Sequence, residues 1–190
     1  MPYDYTDAPP SKFEPKIPEG TKATVVIHIK PGGVGEDGML TRSEKRDCEM
    51  LAVVLTVADG TYKGEKWPEW WVLNGTTDGH AKAGEITRRK LKAIIDSAFG
   101  LDPNDKSPEA RARRTISLGQ LEGMAFITEI GIEKGSGDYS DKNVVTMVIT
   151  KDKKDWHPVE QLPPFNGGGA PPASTPPQSA PPVQRPGWAS

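Results

Sequence analysis

A period-two alternation of apolar residues recurs in five segments between about residues 20 and 160, and a helical period interrupts the series once. In "ATVVIHIK" (23–30) Ala23, Val25, Ile27 and Ile29 share one face, while Thr24, Val26, His28 and Lys30 share the other, because successive strand side chains point to opposite sides. "EMLAVVLTVADG" (49–60) keeps Leu51, Val53, Leu55 and Val57 in register until Asp59-Gly60 stops it. "KWPEWWVLN" (66–74) is a third strand; Pro68 cannot donate to a ladder, which assigns it to an edge or a bulge. The period then changes. In "AGEITRRKLKAIIDSAFG" Leu91, Ile94, Ile95 and Ala98 follow helical spacing across 84–99, and Gly100 is placed to cap the C-terminus. A short helix follows in "SPEARARR", with Ser107 as N-cap and Pro108 at its first position. Two more strands close the pattern, joined by the turn-rich "GSGDYSDKN". They are "MAFITEIGIEK" (124–134), with Phe126, Ile130 and Ile132 on one face, and "NVVTMVIT" (143–150), with Val145, Met147 and Ile149 on one face.

The expected fold is mainly β: a five-stranded, OB-fold-like barrel with a helical insert between strands 3 and 4. Such barrels bind oligonucleotides on a curved face and on hairpin loops. A generic α+β sandwich fits the same element order, because strand pairing cannot be read from one sequence. The flanks differ in composition. Residues 1–20 mix Pro, Asp, Lys and Tyr without periodicity and read as a flexible N-terminal arm. The tail "LPPFNGGGAPPASTPPQSAPPVQRPGWAS" carries one charge, Arg185. It has too little apolar surface to offset the entropy of ordering, so 161–190 reads as disordered. Residues 21–160 remain as one domain, within the common size of about 100–150 residues.

Charge and composition narrow the function. The net charge is −2, so no global positive field draws nucleic acid, and such binding must rest on a local patch. A single cysteine, Cys48, rules out an internal disulfide and a cysteine metal cluster; it reads as a small buried hydrophobe in a reducing compartment. No apolar run approaches the ~20 residues of a membrane span, and the N-terminus lacks an apolar leader, which leads to the expectation of a cytoplasmic protein.

Catalytic signals are weak throughout. "GVGEDG" (33–38) imitates a dinucleotide fingerprint, but Glu36 and Asp37 would repel phosphate and no clear amphipathic helix follows, so it reads as a hairpin loop. "DPNDKS" (102–107) imitates a calcium loop without the glycine at its sixth position or the carboxylate at its twelfth. His28, His80 and His157 lie far apart. No catalytic constellation, cofactor or metal is expected.

"KWPEWW" carries the sharpest question. Three of the five tryptophans fall within five residues. Strand alternation sends Trp67, Trp71 and Leu73 one way and Trp70 and Val72 the other, and only one side of a small barrel is core. Trp71 is the core choice and Trp70 the exposed one. An outward aromatic on a sheet stacks nucleobases without reading sequence; the same ring could instead lie under the helix or at an oligomer contact. Charge leans towards nucleic acid. From Lys82 to Arg114 there are nine Lys/Arg against five Asp/Glu, although ordinary solvated helix faces account for Arg88–Lys92 almost as well. The loop after the first strand adds Lys30, Arg42, Lys45 and Arg46, offset by Glu36, Asp37, Glu44 and Asp47. The last hairpin adds Tyr139 with Lys134 and Lys142.

"LNGTTDGHAKAGEITRRKLKAIIDSAFG", "GDYSDKNVV" and "ITKDKKDWHPVEQ" resemble a family of uncharacterised phage and prophage proteins, regarded as OB-fold proteins similar to single-stranded-DNA-binding proteins. The resemblance covers about 20–160. Its most specific parts are Gly137, Tyr139 and Asn143, and the Trp156-His157-Pro158 end. It implies service in phage replication or recombination inside a bacterial host, beside a recombinase, primase or annealing protein, and it carries over no catalytic residue. One departure stands out. Bacterial single-strand-binding proteins usually end in an acidic, apolar tip, whereas no acidic residue follows Glu160 here; the expectation is that the Pro-rich tail, with Trp188 as its anchor, substitutes for that tip in docking such partners.

The residues and the resemblance together give a non-enzymatic, largely sequence-independent single-stranded-DNA-binding protein. Trp70 and Tyr139 would stack on bases, and Lys30, Arg42, Lys45, Arg46, Lys66, Arg88, Arg89 and Lys142 would meet phosphates. No membrane partner is expected, and oligomerisation stays open. The alternative is an accessory module that binds a recombinase or replisome subunit through its sheet and tail without touching DNA.

Overall fold

The computed structural model describes residues 15–136 and 140–161. The elements follow in the order β1 (Thr21–Ile29), β2 (Leu40–Ser43), β3 (Cys48–Val57), β4 (Lys66–Gly75), α1 (Asp78–Phe99), α2 (Pro108–Arg114), β5 (Ala125–Glu133) and β6 (Lys142–Val148), with a 3-10 turn at Leu118–Leu121. All pairings between strands are antiparallel. β3 is the hub of the sheet. One edge pairs first with β2 (Cys48↔Ser43 to Leu51↔Leu40) and then with β1 (Val53↔Ile29 to Val57↔Val25), while the other edge pairs with β4. β1 continues to β5, and β5 to β6.

Three expectations need correction. Among the described residues the sheet has six strands rather than five, because "LTRS" forms β2; four residues with only Leu40 buried are too short to show an alternation. The helices consequently lie between β4 and β5, not between strands 3 and 4. Among the described residues the sheet is also not closed into a barrel: no ladder joins the edge strands β4 and β6.

The core gathers between the inner face of the sheet and α1. Val25, Ile27, Leu51, Leu55, Phe126 and Ile130 are wholly buried, with Trp67, Trp71 and Ile94 packed among them. Met147 breaks the expected face of the last strand and is 43% exposed. The register explains it: Glu129 pairs with Met147 and Ile130 with Val145, so Thr146 is an extra residue that turns the next side chain outward.

Helix α1 starts at Asp78, earlier than its apolar spacing shows. The Thr77 hydroxyl accepts from the His80 amide at 3.2 Å, and His80 Nδ1 accepts from the Thr77 amide at 3.4 Å, a reciprocal cap. Gly100 ends the helix with φ +61°, in the left-handed region a glycine tolerates. Two flanking segments are pinned to the domain. Ile17 is buried and exchanges both backbone groups with the Asn143 side chain, at 2.7 and 3.3 Å, so ordered chain begins before Gly20. At the other end the Trp156 indole donates to the Ser97 carbonyl at 3.0 Å, and the Gln161 side chain pairs with Ala98 and both backbone groups of Ala125.

Candidate nucleic-acid interface

The site is built on the alternation of β4. Trp67, Glu69 and Trp71 point inward, while Lys66, Pro68 and Trp70 point outward. A buried carboxylate is costly unless donors surround it, and Glu69, only 6% exposed, has four. It accepts from Trp67 Nε1 at 3.1 Å, Trp71 Nε1 at 2.6 Å, Lys90 Nζ at 3.1 Å and the Val145 amide at 2.6 Å. The Lys90 ammonium also lies 5.3 Å from the centre of the Trp71 ring, within cation–π range. The bond to Val145 is a side-chain bridge between β4 and β6, across the seam that no ladder closes. The inward indoles are thereby fixed by polar bonds as well as packing, and Trp70 between them is left 56% exposed.

An open groove of about 710 Å³ lies beside that seam. Trp70 and Trp71 form one wall; Lys134, Gly135 and Lys142, at the base of the β5–β6 hairpin, form the other. Arg46 and Lys90 complete four cations, against the carboxylates of Glu69 and Glu133. Most of these charges are already engaged. Lys90 pairs with Glu69 at 3.1 Å, Lys142 with Glu133 at 2.9 Å and Lys134 with Asp141 at 2.7 Å. The hydrogen bond from Lys134 and the Gly135 amide hold the Asp141 carboxyl below its usual range, and the same bond holds the Lys134 ammonium above its own. Arg46 has no ion pair among the described residues.

Of the residues singled out from sequence, the groove brings together Trp70, Arg46 and Lys142. The others lie elsewhere. Arg42 faces Asp47 at 3.8 Å, and Lys66 sits with Lys16 and Glu65 at the opposite end of β4. Arg88 donates to the Leu73 carbonyl at 3.3 Å, and Arg89 pairs with Glu85 at 2.5 Å. Lys30 and Lys45 are exposed away from the groove lining. Tyr139 lies outside the described residues, as do residues 162–190. Sequence reasoning missed Glu69 and undervalued Lys90. A signal was present in "WPEWW", where an acidic residue occupies the apolar face between two tryptophans.

The imitation motifs resolve as connections. In "GVGEDG" the Asp37 carboxylate accepts from the Met39 and Gly119 amides at 3.3 and 3.0 Å, tying the loop to the 3-10 turn. Asp102 and Asp105 of "DPNDKS" accept from the Asn104 and Ser107 amides, both at 2.8 Å, as helix-linking turns do. No group of three or more His, Cys, Asp or Glu among the described residues is placed to hold a metal ion. No helix among them is long and apolar enough to cross a membrane. No protein-family model matches the chain, and no curated protein matches it.

Proposed function

We propose that the domain is a partly open, OB-like barrel that binds single-stranded DNA with little sequence preference, in phage replication or recombination. One observation carries this reading: an exposed tryptophan, Trp70, stands on the wall of an open groove that also presents Arg46, Lys90, Lys134 and Lys142. Bases supply flat faces for the ring, and phosphates supply charge for the cations. The meeting of the β4 and β6 edges through Glu69 and Val145 supports a barrel left open at one seam. The resemblance to phage and prophage proteins supports the biological setting, with a recombinase, primase or annealing protein as partner and the bacterial cytoplasm as compartment. A protein ligand in the same groove is the second reading, favoured by the fact that three of the four cations already hold carboxylates.

Anisotropy of a labelled poly-dT oligonucleotide, titrated at low and moderate salt with tryptophan emission followed alongside, separates the two. The expected result is salt-sensitive binding with quenching, and a loss of about 1–3 kcal/mol of binding energy in Trp70→Ala at fixed salt. Unchanged affinity in Trp70→Ala removes the stacking platform. Absence of binding at low salt overturns the DNA reading and leaves the groove to a protein.

A further inference from the structure

On α1, Arg88, Leu91, Lys92 and Ile95 fall at i, i+3, i+4 and i+7 and share a face. Arg88 and Lys92 stand two residues from Lys90 on either side, a rotation of about 200° at 3.6 residues per turn. That face therefore looks away from the Trp70 groove, which Lys90 lines. It borders a second, smaller pocket of about 210 Å³. Leu91, Ile95, Ile116, Leu118 and Leu121 make its apolar part. Arg88, Lys92 and Arg114 are the charged residues around it, and no carboxylate lines it.

The cations are held in different ways. Arg114 is fixed by Asp96 at 2.6 Å and by the carbonyls of Asp102 and Asp105, and Lys92 by Asp96 at 2.6 Å. Asp96 is wholly buried beneath them and balances one of the two charges. Arg88 is exposed and spends one donor on the Leu73 carbonyl. The result is an apolar socket under a positive rim whose geometry is set in advance. At about 210 Å³ it is smaller than the ~300–1,000 Å³ of small-molecule sites and suits a single large side chain, the kind of anchor on which peptide interfaces depend.

We propose that this pocket docks a peptide segment of a partner protein, one that carries a large apolar side chain flanked by carboxylates. Charge complementarity selects that occupant. Residues 162–190 do not match it, since no acidic residue follows Glu160 in the chain. A nucleic acid fits less well, because no aromatic side chain lines the pocket to stack a base. The site is separate from the Trp70 groove, so the proposal does not depend on DNA binding.

The test titrates the full chain into a fluorescein-labelled peptide, Asp-Asp-Glu-Phe-Asp-Leu, followed by anisotropy. Two control peptides replace the Phe with Gly or every acidic residue with Lys. The expected result is saturable binding that weakens about tenfold or more in Arg88→Glu and with either control. Amide chemical shifts of the unmodified protein should move within 88–95 and 114–121, and this readout requires no variant to fold. Binding that is absent, equal for the Lys control, unchanged by Arg88→Glu, or mapped to Trp70 and Lys142 overturns the proposal. Failure of poly-dT to bind the same protein would overturn the DNA reading alone.

Discussion

Glu69 concentrates more of the candidate site than any other side chain: two indoles, one ammonium and one amide of the neighbouring edge strand converge on a carboxylate 6% exposed. Such a group stabilises through its partners, and removing it strands them in a low-dielectric interior. Glu69→Ala is expected to lower the unfolding free energy by about 3–5 kcal/mol in urea denaturation. Glu69→Gln keeps the shape but offers a single acceptor oxygen, so it should lie between the two. Trp70, next in the chain, should show the opposite behaviour. Its ring is mostly in solvent, so Trp70→Ala should weaken a ligand while leaving the denaturation midpoint almost unchanged. On the proposed function, neighbouring residues of one strand divide stability and recognition between its two faces. The alternation that separates them is legible in "KWPEWW"; the four-fold acceptance by Glu69 is not, because Lys90 and Val145 arrive from distant parts of the chain.

At the scale of elements, the placement of α1 on β4 fixes how Lys90 reaches Glu69. Gly84 makes that approach possible: a Cβ there would stand 2.5 Å from the Leu73 carbonyl oxygen, a backbone atom that cannot swing aside. Alanine is the better helix former by about 1 kcal/mol, yet Gly84→Ala is expected to destabilise the protein, since the helix must lift from the strand. A thermal melt reads the sign directly. A stabilised Gly84→Ala would mean that α1 adapts without cost and that its seat on β4 is loose. The helix interior was readable from Leu91, Ile94, Ile95 and Ala98. Its first turn was not, since "DGHAKAG" is short of apolar residues and starts from a cap rather than a stripe. β2 escaped for a related reason: four residues are too few for a period.

Across the whole molecule, charges of both signs are dispersed, so a net charge of −2 coexists with a cationic groove. The exposed pairs Lys134–Asp141 and Lys142–Glu133 are weak in water and exchange readily for phosphate, whereas the buried Lys90–Glu69 pair should hold. If the groove binds a single strand as proposed, three phosphates met by Arg46, Lys134 and Lys142 should give a slope of log affinity against log salt of about −2. A slope near zero would mean that the groove does not track a backbone. Sequence by itself determined the β-rich character, the long strands, which residues of β4 share a face and the core of α1. Those properties arise from local periodicity, which each segment carries within itself. Only the tertiary structure decided that Ile17 joins the core through Asn143, that the sheet stays open between β4 and β6, and that Arg46, Trp70 and Lys142 meet while Arg88 and Arg89 do not. These depend on strand order and on a bulge of one residue, which sum weak preferences over the whole chain and leave no periodic trace in any one stretch.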